Sequence, residues 1–128
     1  MRYTINDGYT LDAETSPNVK DETGRILATG LPVVKFKYRP PTHAESLDYR
    51  YKWNRAASGV EQAVIDATFI VAHVTDWDVC KDGPPMAELV YAPITKETIL
   101  AMGEPVVGQI VNLCTVWKPQ PQGTQEGN

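Results

Sequence analysis

The chain has 128 residues, 42% hydrophobic and 22% charged, with a formal net charge of −4. That length suits one domain able to bury roughly two-thirds of the surface its unfolded form exposes. No apolar run reaches the ~20 residues that span a bilayer, so a membrane-spanning role is not expected.

Met1 to Gly30 has turn chemistry and no helical periodicity. Asn6-Asp7-Gly8 lies between Tyr3-Thr4-Ile5 and Tyr9-Thr10-Leu11, a hairpin signal because glycine accepts positive φ at little steric cost. Ser16-Pro17-Asn18 and Glu22-Thr23-Gly24 mark two more turns. The region reads as a small β-meander, or as an arm that orders on a partner. MRYTINDGYT lacks a basic-then-apolar leader, so the expected location is cytoplasmic.

Leu31 to Arg39 is the best strand: Val34, Phe36 and Tyr38 alternate with Lys35, Lys37 and Arg39, one face buried and the other cationic. Thr42-His43-Ala44-Glu45 has the spacing of a capping box and opens a helix to about Ala57. That helix carries two apolar stripes, Ala44/Leu47/Tyr51 and Tyr49/Trp53/Ala56, and Ser58-Gly59 is expected to end it. Val60 to Ala72 forms a second helix with an apolar arc wide enough to predict a central, heavily buried element. Around Val71, Val74 and Thr75, β-branching offers a shift to extended backbone.

Lys81-Asp82-Gly83-Pro84-Pro85 is a turn, and Met86 to Tyr91 is a short strand or a loop. Thr95 caps a short helix to Met102, and Gly103 ends it. The last helix starts at Glu104-Pro105, with Val107, Ile110, Val111, Cys114 and Trp117 facing inward and Gly108, Gln109, Asn112 and Thr115 outward. Lys118 to Asn128 has no aliphatic or aromatic residue and reads as a disordered tail. The expected organisation is one α+β domain over residues 1–117, a β-like region (1–30) and a core (31–117), followed by the tail (118–128). Its small N-terminal antiparallel sheet, including Val33 to Tyr38, packs against three or four helices.

Chemistry is sparse. His73, Asp76, Asp78 and Cys80 lie close together, but no second histidine at helical spacing, paired-cysteine motif or calcium loop accompanies them. A polar exit from a buried helix explains them equally well, and no metal site is expected. The serines sit in turns or on a helix face without a nucleophile elbow, and no phosphate-binding glycine loop is present. Cys80 and Cys114 read as reduced packing residues, Cys114 on an apolar stripe that would leave its thiol inert. No catalysis and no cofactor are expected.

Two binding features remain. The window from Lys35 to Arg55 carries +4, leaving −8 elsewhere, and combines Lys35, Lys37 and Arg39 with Tyr49, Tyr51 and Trp53. Such a surface suits single-stranded nucleic acid, but the acidic balance of the chain disfavours that reading. Trp77, between Asp76 and Asp78, reads first as a core plug and second as an interface anchor.

The order of features from Val33 onward resembles the tail assembly chaperone group of long-tailed bacteriophages. The resemblance rests on the strand Val33-Val34-Lys35-Phe36-Lys37-Tyr38-Arg39 leading into Thr42-His43-Ala44-Glu45. It continues with Val74-Thr75-Asp76-Trp77-Asp78-Val79, the turn Lys81-Asp82-Gly83, Ala92-Pro93-Ile94-Thr95-Lys96-Glu97-Thr98-Ile99-Leu100, and Pro105-Val106-Val107-Gly108-Gln109-Ile110-Val111. It covers about two-thirds of the chain, and its most specific part is Trp-Asp followed by a turn and a short helix. The 30-residue N-terminal region and the insertion Pro84 to Tyr91 depart from the pattern.

The resemblance implies a non-enzymatic protein of the bacterial host cytoplasm, encoded by a phage or prophage, that coats a tape-measure-type client until tail-tube subunits displace it. It also implies a longer form made by a ribosomal frameshift, with the junction near Lys118. Trp53, Trp77 and Trp117 are the expected client anchors, with homo-oligomers possible in principle. The alternatives are a virion structural protein, such as a tail-completion or head–tail joining subunit, and a nucleic-acid binder using Lys35, Lys37 and Arg39.

Overall fold

The computed structural model describes residues 9–81 and 90–115. Among them, in chain order, lie the strands Leu11–Glu14 (β1), Val19–Lys20 (β2), Ile26–Ala28 (β3) and Lys35–Tyr38 (β4), and the helices His43–Arg55 (α1) and Gly59–His73 (α2). Val74–Trp77 (β5), Lys96–Leu100 (α3) and Glu104–Thr115 (α4) follow. The fold is α+β: a three-stranded antiparallel sheet in the order β1-β4-β5, a separate β2-β3 hairpin, and helices against the sheet's apolar face.

Alternation fixes the register of the sheet. Ala13, Phe36 and Trp77 are opposed on the core face, while Asp12, Lys37 and Asp76 are opposed on the solvent face. Regular pairing of β4 begins at Lys35, four residues later than the expected strand start at Leu31. Before it, Thr15 extends the pairing irregularly: its N–H donates to the Val34 carbonyl (2.9 Å), and its buried hydroxyl accepts the Val34 N–H (2.8 Å). Proline at position 32 cannot donate to a ladder, which helps to explain the late start.

The Thr42 capping box forms as expected, with the Glu45 N–H on the Thr42 hydroxyl and the Thr42 N–H on the Glu45 carboxylate. The expected role of Ser58-Gly59 is overturned. Helix α1 stops at Ala56, and Ser58 instead caps the start of α2 by accepting the Glu61 N–H, with Gly59 already helical. A serine oxygen beside a free helix amide outweighs the conformational freedom of the neighbouring glycine.

The expected burial of α2 is also corrected. Ala67, Phe69, Ile70 and His73 are buried, but Val60 is 76% exposed, and Val64 and Val71 are exposed too. Helices α1, α3 and α4 together cover only part of the arc. The core joins Phe36, Trp77, Ile70, Ile99, Val106, Ile110 and Cys114 across sheet and helices. Helix α4 buries Val106, Ile110, Val111 and Cys114. Trp117, the tail from Lys118, the Asn6-Asp7-Gly8 turn and the turn from Asp82 to Pro85 lie outside the described residues.

Ile70→Ala, at a fully buried position, should lower stability by about 2–5 kcal/mol, whereas Val60→Ala should stay within ~0.5 kcal/mol. Urea unfolding of the two variants checks this division of α2.

Candidate functional site

Lys35 and Lys37 share the solvent face of β4 as expected, but acidic residues of β1 and β5 accompany them and Arg39 leaves that face. Lys37 pairs with Asp12 (2.9 Å), its ammonium pKa raised by that hydrogen bond, and stands opposite Asp76. Lys35 shares a shallow concavity on the outer sheet face with Asp12, Glu14, Asp76 and Asp78. Arg39 turns away to the end of α2, where its guanidinium donates to the Ala72 carbonyl (3.2 Å) and lies 3.8 Å from Glu45. The acidic partners came from β1 and β5, distant in sequence, and no local pattern announced them.

Trp77 is 5% exposed and serves the core, its indole N–H donating to the Ala92 carbonyl (2.8 Å). This bond holds the segment after Val90 against the sheet, together with the Ala92 N–H on the Val79 carbonyl and the Cys80–Tyr91 bridge. Little of Trp77 is left for a partner. Trp53 is half-buried between α1 and α2, and among the described residues its indole N–H meets no acceptor.

The residues considered for metal binding diverge. His73 points into the core, Asp76 accepts the Trp77 N–H, and Asp78 accepts the Lys35 N–H. Among the described residues no three His, Cys, Asp or Glu side chains converge as ligands. Cys114 is buried and its thiol is pushed up to about 12 by desolvation, which leaves it protonated at neutral pH. Cys80 is exposed.

The feature with binding geometry is a groove of about 370 Å³ between α1 and α2. Phe69, His73 and half-buried Ile65 lie at its base; Val64, Thr68 and Ala72 form the α2 lip, and Glu45, Asp48 and Lys52 the α1 lip. Its base is rigid. Tyr49, Phe69 and His73 stack in series with centroids 4.8 and 4.3 Å apart, and the Tyr49 hydroxyl donates to Asp66. Burial, reinforced by that hydrogen bond, raises the Tyr49 pKa. Along the exposed face of α2, Val60, Val64, Thr68 and Val71 recur at helical spacing without an interposed charge. On α1 the inner stripe is Tyr49/Trp53, while the stripe Ala44/Leu47/Tyr51 faces solvent with Arg55 over the Tyr51 ring. Sequence periodicity revealed both stripes of α1, but not which one the fold would leave open.

Compared with known proteins, the chain matches no family model, no curated protein and no solved structure.

Burial holds the His73 pKa below its ordinary value of 6.5, with Arg39 also disfavouring the charged ring and Glu45 opposing the shift. The unfolded chain therefore binds a proton first as pH falls. Stability from this residue is fully present above about pH 6.5 and is lost as pH falls through the folded pKa. Urea midpoints between pH 7.5 and 5 should show that loss, and His73→Gln should remove its contribution to the slope. Trp77→Phe, which leaves the Ala92 carbonyl without its donor, should lower stability by about 1–3 kcal/mol in the same assay.

Proposed function

We propose that this domain is a non-enzymatic, client-binding protein of the tail-assembly chaperone type, and that it holds a helical segment of a tape-measure-type client along the α1–α2 groove. The carrying observation is the α2 lip of Val64, Thr68 and Ala72 beside an aromatic base, left open although α2 is otherwise central to the fold. An amphipathic helix fits such a surface, burying an i, i+3/i+4, i+7 stripe against α2 and placing polar groups along Glu45, Asp48 and Lys52. The groove base is already ordered by the Tyr49–Phe69–His73 stack, so binding need not order it anew. Resemblance to the phage group over residues 33–117 supplies the client class, and a host-cytoplasmic location accompanies it.

A second reading, a virion structural subunit, draws on the projecting β2-β3 hairpin, which has the exposed apolar character of an assembly arm.

Co-expression with a long helical tape-measure-type protein tests the proposal. The client should become soluble and co-elute, and Val64→Lys should weaken its capture at least ~10-fold, about 1.4 kcal/mol. A client that stays insoluble, or that binds Val64→Lys as well as the parent chain, would overturn the proposal.

A further inference from the structure

Helix α1 lies on the fold without a fully buried side chain of its own, and its inner stripe of Tyr49 and Trp53 meets α2. His73 sits where its attachments converge. The ring is 3% exposed and stacks on Phe69 at 4.3 Å, and Phe69 stacks in turn on Tyr49 at 4.8 Å. The Arg39 carbonyl can only accept, so its 3.2 Å contact with Nδ1 fixes the neutral tautomer: Nδ1 carries the proton and Nε2 is bare. A second proton therefore brings both a charge and a new N–H into a nearly closed space.

The surroundings serve that charge poorly. Burial disfavours it first, Glu45 of α1 favours it, and Arg39 from the end of β4 opposes it. Glu45 is already committed: it accepts the Thr42 N–H, a bond that holds its carboxyl below the usual range, and it lies 3.8 Å from the Arg39 guanidinium. Farther along the groove, Asp48 and Lys52 of α1 pair with each other at 3.0 Å, and the Tyr49 hydroxyl donates to Asp66 of α2. An imidazolium would thus share one carboxylate with a guanidinium and a helix cap. Water is the remaining way to solvate it. The direct route for water is the α1–α2 groove, which already reaches the ring.

We infer that His73 is a proton-operated switch on the groove: protonation of its ring parts α1 from α2 while the sheet, α3 and α4 stay folded. In the parted state the ring is hydrated and takes a proton at its ordinary value of 6.5; in the closed state burial holds it lower. Opening is therefore favoured as pH falls through 6.5, and carboxylates remain ionised down to about pH 5. A client in the groove covers the ring further, so client and proton oppose each other. That last consequence rests on the groove being a binding face; the opening itself does not.

Hydrogen exchange of the free protein, followed by NMR, tests the switch in a His43→Gln background that leaves His73 as the one imidazole. With rates corrected for intrinsic exchange, the amides of residues 49–53 should open at least ~3-fold more readily at pH 5.5 than at pH 7.5, toward a one-proton ceiling of about 10-fold. They should also open more readily than the amides of β4 and α4 at both pH values. His73→Gln should flatten the α1 profile. An α1 profile that ignores pH, an α1 that opens only together with β4 and α4, or a His73→Gln variant that keeps the parent's response rules the inference out. So does a titration midpoint of the His73 ring signals at or above 6.5, a reading that needs no substitution at His73. Client capture at pH 7.5 is measured separately, so the switch can fail while the groove's role stands, and the reverse.

Discussion

The join between the end of α2 and the start of β5 is the constraint on which the rest depends. His73 is the last residue of the helix and Val74 the first of the strand, so no loop absorbs the change of direction. Arg39, just past β4, locks it. Its N–H donates to the His73 carbonyl (2.8 Å), its carbonyl lies 3.2 Å from His73 Nδ1, and its guanidinium meets the Ala72 carbonyl. A cation placed on the final carbonyls also suits the negative end of the helix dipole. The same arginine lies near Glu45, which closes the start of α1. One residue thereby relates the central strand, the end of one helix and the start of another.

With α2 held across the sheet, the remaining elements have few choices. Helices α3 and α4 cover one part of it, and α1 lies on another, chiefly through Tyr49 and Trp53. Helix α1 contributes no fully buried side chain, so it adds little core and acts instead as a wall. The apolar arc of α2 exceeds what this set of neighbours can cover. The uncovered remainder becomes surface, and the proposed client contact uses its Val64 edge.

What could be read from the sequence was local. The capping box at Thr42, the alternation around Phe36, the Thr95 cap and the helix opening at Glu104-Pro105 each depend on residues within a few positions of one another. Ser58-Gly59 was misread because the same dipeptide can end one helix or start the next, and the Glu61 amide decides it. The cation pattern at Lys35, Lys37 and Arg39 was visible, but its neutralisation required knowing that Asp12 and Asp76 would flank Lys37. Which α2 stripe would be exposed depended on how many helices arrive to cover it, a property of the whole packing. Trp77 was legible as a plug; its acceptor at Ala92, fifteen residues on, was not.

Gln109 and Ser16 are separated by 93 residues, yet their paired amide contacts stitch the last helix to the segment after the first strand. Closing so long a span is entropically slow compared with forming either helix alone. During synthesis, the early strand must therefore wait for almost the entire domain to emerge before its flank is sealed. Until then the β1-β4 pairing and the Thr15–Val34 and Leu31–Pro17 bonds are available to hold the N-terminal segment, and completion of α4 adds the clasp on Ser16.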